Sequence, residues 1–334
     1  MTSNQFSIRL HEARQMMGLS MEKLAELTGG IITKQSISRY EKGLMLPKRV
    51  AKLAMAKALN ISDSYFDGTN LEIDMPMLRT TSNGKLSEDE LQALEAKLSF
   101  WAELYLTKEK EAGFPTQFQN PIKDTKVSTL EDAIQATILL REKWHCGDGP
   151  IASILRLLER KGIMILAATL PDYVFGMSTW ADKKHPLMIL DFNPEKSSVE
   201  KLRFTAVHEL AHLLLLFPQE SDYSSDYSVE KRCDLFASFF LLPKLALIEE
   251  LGSRKRELIT LEEMIDIKEL YGVSLAASII AARDYGIITT EYKRAWYAEH
   301  IEPNPREIGN GHYAFPETLG REKRVNSIIK SMEE

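Results

Sequence analysis

At 334 residues the chain has room for two or three domains, and 27% charged with 44% hydrophobic residues is the balance of an ordinary globular protein. It has no run of 18 apolar residues, no apolar secretory core in MTSNQFSIRLHEAR, and two cysteines that build no disulfide framework; these features exclude the membrane-spanning and disulfide-stapled classes and predict a cytoplasmic protein. Net charge is −6, but residues 1–70 carry +4 and the remainder −10, so any DNA contact belongs to the head.

The head divides into short helices. Helical spacing over Ile8 to Met17 stops at Gly18, and Ser20 caps Met21 to Leu27 before Gly29-Gly30 breaks the chain. Thr33 caps Lys34 to Lys42, Gly43 terminates it, and Pro47 precedes a helix from Val50 to Leu59. Two short helices around a glycine-containing turn predict a helix-turn-helix. Ile37 and Tyr40 face the core, which leaves Lys34, Gln35, Ser38 and Arg39 outward, with side chains suited to phosphates and base edges. RLHEAR, GLS-x-x-x-LAE and SISRYEKG resemble the Cro/CI (XRE-type) family, which implies a five-helix domain over 1–70 that binds duplex DNA as a homodimer. Met21 stands where that family commonly has glutamine, and GGII lengthens the turn.

Residues 71–124 read as a helical linker. Ser87 and Glu90 suggest a capping box, and Glu88 to Lys110 is strongly helical. Ser128 and Glu131 suggest another, for a helix ending at Trp144; CGDGP breaks the chain before a helix over Ile151 to Lys161. GIMILAATL and HPLMILDFN read as two strands. The second, just ahead of the next helix, is placed to pair with an extended peptide.

That helix carries RFTAVHELAHLLLLFP, with Ser197 and Glu200 as its expected capping box and Phe217-Pro218 as its stop. Histidines at i and i+4 lie one turn apart on one face, so His208 and His212 can bind one ion, and Glu209, rotated by about 100°, can reach a water on it. Leu202, Ala206, Leu210, Leu213 and Leu214 make the helix apolar, so the three polar residues need a shared partner. Ser228 opens a further helix in which Glu230 is the candidate third ligand, with Asp234 one turn on accepting the outer N–H of a ligand histidine. A solvated acidic edge is the bland alternative. Cys233 is a softer donor pointing about 60° away from Glu230, read as core.

FTAVHELAHLLL followed by VEKRCDLFASFFLLP resembles the ImmA/IrrE zinc peptidases, and the likeness extends over about 125 to 245. It implies Zn²⁺ on His208, His212 and Glu230, Glu209 as general base, and a zincin-like domain over 125–250 with a small sheet. Cys233 stands where the family usually has alanine. Residues 251–334 read as a helical accessory region, with a second helix-turn-helix as the alternative; IEPNPREIGNGHYAFP has no assigned role. The expected class is α+β, mainly α. The expected function is a DNA-binding regulator that cleaves a helix-turn-helix repressor, a toxin-antitoxin partner or itself. The rival is a repressor or antitoxin whose metal domain senses without cutting. For the oxyanion, His185, Tyr223 and Tyr227 stay open.

Overall fold

A computed structural model describes residues 3–68, 71–74, 77–80, 88–113, 115, 117–172, 174–217, 228–252, 255–321, 323–325 and 327. In the head, helices α1 (Ser3–Met16), α2 (Met21–Leu27), α3 (Lys34–Glu41) and α4 (Arg49–Ala58) are followed by a 3₁₀ turn at Asp63–Asp67, which takes the place of a fifth α-helix. Ser20 accepts from the Lys23 N–H and Thr33 from the Ser36 N–H, so both expected caps form. α1 starts five residues earlier than its expected beginning at Ile8. Phe6, Leu10 and Ala13, at i, i+4 and i+7, make the buried stripe, while Ile8 is 48% exposed.

The expected pair of strands is part of a four-stranded sheet in the order β1-β3-β4-β2: β1 (Met77–Thr80), β2 (Met164–Ala167), β3 (Val174–Ala181) and β4 (His185–Leu190). β3 and β4 form an antiparallel hairpin, β2 runs parallel to β4, and β1 pairs antiparallel with β3. β4 is therefore interior. The expectation that it pairs with an incoming peptide fails, because both its edges are bonded.

The sheet is covered on both faces. Leu187 and Ile189 of β4 pack with Leu98, Ala102 and Tyr105 of α5 (Glu88–Glu111), so part of the expected linker is a layer of the fold. Met188 and Leu190 pack on the other face with α8 (Val199–Leu214). Double coverage explains why β4 is a continuous apolar run.

Around α8 lie α6 (Leu130–Trp144), α7 (Ile154–Arg160), α9 (Val229–Leu241), α10 (Lys244–Leu251), α11 (Leu261–Tyr271), α12 (Leu275–Asp284) and α13 (Thr290–His300). Two caps differ from expectation. Thr129 and Asp132, not Ser128 and Glu131, form the box on α6, and Ser198, not Ser197, caps α8. Glu200 is instead buried, accepting from the Tyr313 N–H at 2.8 Å. The third box, at Ser87, lies outside the described residues, though α5 covers the expected span.

One apolar cluster runs from Ile122 to Ile301, so the boundary expected at 250/251 falls inside a shared core. The segment without an assigned role belongs to it. Glu307 accepts from Lys268 Nζ and from the first N–H groups of α12 (Leu275 and Ala276). The Glu317 carboxylate accepts from Ser153 Oγ, the N–H groups of Ile154 and Leu155, and Arg203 of α8. Gly272, at φ 63°, ends α11 where a side chain would strike Arg203 and the Tyr313 ring.

Candidate metal centre and DNA-facing helix

α8 buries its polar triplet deeply. Glu209 is fully buried, and the side chains of His208 and His212 are 1% and 4% exposed. β3 makes this possible by crossing α8 very closely. A Cβ at Gly176 would lie 2.6 Å from Thr205 Cγ2 and 3.4 Å from Glu209 Cγ, so this position needs the missing side chain. Two residues on, the Ser178 hydroxyl donates to Glu209 Oε2 at 2.7 Å.

α9 supplies the other half. Ser228 caps it, accepting from the Lys231 N–H, which brings Glu230 into the first turn beside the histidines. Glu230 Oε2 lies 3.1 Å from His208 Nε2, and Oε1 lies 3.3 Å from His212 Nε2. Behind the rings, His208 Nδ1 is 3.0 Å from Asp234 Oδ1 and His212 Nδ1 is 3.7 Å from Cys233 Sγ. Each imidazole thus turns Nε2 toward one carboxylate and has Nδ1 held from the far side. Hydrogen bonding from His208 and then His212 keeps the Glu230 carboxyl well below the usual carboxylate range.

These donors fit a metal ion. Ligands at about 2.0–2.1 Å on a tetrahedral ion are about 3.3 Å apart, the spacing seen between the two nitrogens and the carboxylate oxygens. His212 Nε2 is buried without a hydrogen bond of good geometry, a costly state that a bound cation relieves. The ligand atoms of His208, His212 and Cys233 also lie within 4.8 Å of one another. In this arrangement, however, Cys233 faces the Nδ1 edge of His212, away from Glu230, so the thiol supports a ring rather than completing the same ligand set.

Ser178 and Gly176 had no role in the sequence reading, because β3 was not recognised as a strand. Its apolar positions are interrupted by Gly176, Ser178 and Thr179, yet it is buried along nearly its whole length. Of the three oxyanion candidates, Tyr223 and Tyr227 lie outside the described residues. His185 pairs with Ala181 at the hairpin end, three residues along the strand from Ser178, a separation of roughly 10 Å. The structure does not bring His185 to the site.

In the head, Lys34, Gln35 and Arg39 are exposed on α3 and Ser38 is half-buried, while Ile37 and Tyr40 are buried. Lys34 ion-pairs with Glu22 of α2. From its inner side α3 is anchored by Glu41, which binds Arg14 at 2.6 and 2.9 Å and His11 at 3.0 Å.

Residues 10–66 match the family described as helix-turn-helix, and residues 158–281 match a peptidase family described as the IrrE N-terminal-like domain. The second match runs from within α7 into α12, further toward the C-terminus than the likeness read from the sequence, and contains every residue of the candidate metal centre. No curated protein matches the chain. Among the described residues no helix is long and apolar enough to cross a membrane.

Proposed function

We propose that this chain, which joins an XRE-type helix-turn-helix domain to an ImmA/IrrE-like peptidase-family domain, is a DNA-binding regulator and a zinc-dependent endopeptidase. Its substrate on this reading is a helix-turn-helix repressor, a toxin-antitoxin partner or the chain itself, and it acts in the cytoplasm as a homodimer on duplex DNA. The observation that carries the reading is the convergence of His208 Nε2, His212 Nε2 and the Glu230 carboxylate beside a fully buried Glu209.

His208, His212 and Glu230 would hold the ion, with Asp234 and Cys233 orienting the two rings. Zn²⁺ held there supplies a Lewis acid toward the scissile carbonyl and lowers the pKa of water. Glu209 acts as general base and then general acid, taking the proton of the attacking water and delivering it to the leaving amine. Ser178 fixes the direction of the Glu209 carboxylate for both transfers. On the DNA side, Gln35 and Arg39 read bases from the exposed face of α3, with Ser38 beside them. Lys34, shared with Glu22, contacts phosphate.

A second reading rests on β1. It pairs along β3 opposite Gly176 and Ser178, the two residues that touch Glu209. An extended substrate competing for that edge meets a strand already in place, which favours an activity held latent. The test is to compare wild type with Glu209→Gln in zinc content and in cleavage of candidate repressors. One zinc per chain is expected in both proteins, with cutting only in wild type. Zinc-free protein, or zinc unchanged in His208→Ala, overturns the ligand assignment. Equal cleavage by both proteins overturns the role of Glu209, and zinc without cleavage under inducing conditions transfers the function to sensing.

A further inference from the structure

A cavity of about 320 Å³ lies between α8, α9, α12 and the segment around Glu307. It shares Asp234 with the candidate metal centre and none of His208, Glu209, His212 or Glu230. Its size falls at the small end of pockets that enclose organic ligands, about 300–1,000 Å³. Phe204, Leu235 and Ile280 give it apolar walls, and Ala276 and Ala277 keep one side open.

Asp284 is the unusual member of this lining. Its side chain is 5% exposed, Oδ1 lies 2.6 Å from Arg283 Nε, and Oδ2 has no hydrogen-bond partner among the described residues. The other acids of the wall are engaged. Glu307 accepts from Lys268 and two backbone N–H groups, Glu200 from the Tyr313 N–H, and Asp234 faces His208. The cations are engaged too: Lys268 is neutralised by Glu307, and Lys201 lies 3.2 Å from the Phe175 ring centroid. An anion entering here would face a carboxylate, whereas a donor cation would satisfy the one open acceptor.

We propose that this cavity binds a small organic cation, a primary ammonium on a compact apolar body, with the ammonium donating to Asp284 Oδ2 and the body packed against Phe204, Leu235 and Ile280. Burial pushes the Asp284 carboxyl above its ordinary value, as expected for an acid whose charged form lacks a partner. Bound ammonium supplies that partner. The binding requires no metal and no proteolysis, so it stands apart from the peptidase reading.

The experiment measures binding of phenethylamine and isoamylamine to the full chain by calorimetry, with 2-phenylethanol, isoamyl alcohol and phenylacetate as neutral and anionic counterparts. The amines are expected to bind at least tenfold more tightly than the alcohols, and phenylacetate not at all. Asp284→Asn should abolish that preference while leaving the melting temperature unchanged or higher, because it removes an unsatisfied charge. Ala277→Phe, which fills cavity volume and keeps the carboxylate, should also weaken amine binding at least tenfold. Amines binding no better than alcohols, or amine affinity unchanged in either variant, overturns the proposal and leaves a solvent-filled pocket. A large loss of stability in Asp284→Asn also overturns it, by making the carboxylate a structural group.

Discussion

At the scale of single residues, the contacts that matter are between side chains from different elements. Ser178 reaches Glu209 from β3, and its hydroxyl is the bond that orients the proposed base. A hydrogen bond to a charged group contributes about 1.5–3 kcal/mol. Ser178→Ala should therefore lower kcat roughly 10- to 100-fold with KM and zinc content nearly unchanged, as steady-state kinetics and metal analysis would report. Substitution that leaves kcat intact would show that Glu209 is oriented by the fold without its serine. In the head, burial pushes the Glu41 carboxyl up, but the bonds from Arg14 and His11 outweigh it and hold the group below its ordinary value. A carboxyl depressed on folding stabilises above its unfolded pKa, about 4.3, and that stabilisation is lost as pH falls through the folded pKa. Glu41→Gln should thus destabilise the head by about 3 kcal/mol at pH 7, since Arg14 and Glu41 side chains are only 6% and 5% exposed. The gap between variant and wild type should narrow below about pH 4 in melting experiments. A gap independent of pH would assign the loss to shape rather than charge.

At the scale of elements, the legible parts of the chain were those whose signal is local. HELAH and the Ser228-capped helix announce their chemistry through 3.6-residue spacing, and α2 and α3 through caps that form as expected. β3 was hidden because Gly176 and Ser178 are chosen for their contacts across to α8, and such contacts leave no period along the strand. The expected caps at Ser128 and Ser197 missed by one residue because two adjacent hydroxyl-bearing residues offer equivalent local bonds, and tertiary packing selects between them. Glu317 was illegible for the same reason. An acid in an irregular segment gives no hint that it closes the start of α7 and neutralises the buried Arg203 of α8. Removing one partner of such a pair costs about 3–5 kcal/mol, so Glu317→Gln should lower Tm by roughly 10 °C in calorimetry. A shift of only a degree or two would mean that the tail rests on α8 without supporting it.

At the scale of the whole molecule, the head is joined to the rest by more than a tether. Arg9 of α1 pairs with Glu103 of α5, and the rings of Tyr65 and Phe100 meet edge-on, so the boundary drawn at residue 70 cuts a buried ion pair. A fragment over 1–113 is expected to melt well above one over 1–70 and to bind duplex DNA. It should do so with stronger non-specific affinity than the full chain, because the remainder of the chain beyond residue 70 carries −10. Gel shifts at two salt concentrations check this. Equal, negligible affinity of fragment and full chain would make the head a protein-docking module. The joining segment also contributes β1, which satisfies the outer backbone groups of an eight-residue strand. An uncovered strand of that length is a template on which other chains polymerise. Cutting the chain between head and sheet would then do more than separate a DNA reader from its body. It would permit β1 to leave and turn a dispersed protein into one that self-associates, so that proteolytic release and loss from solution become a single irreversible event.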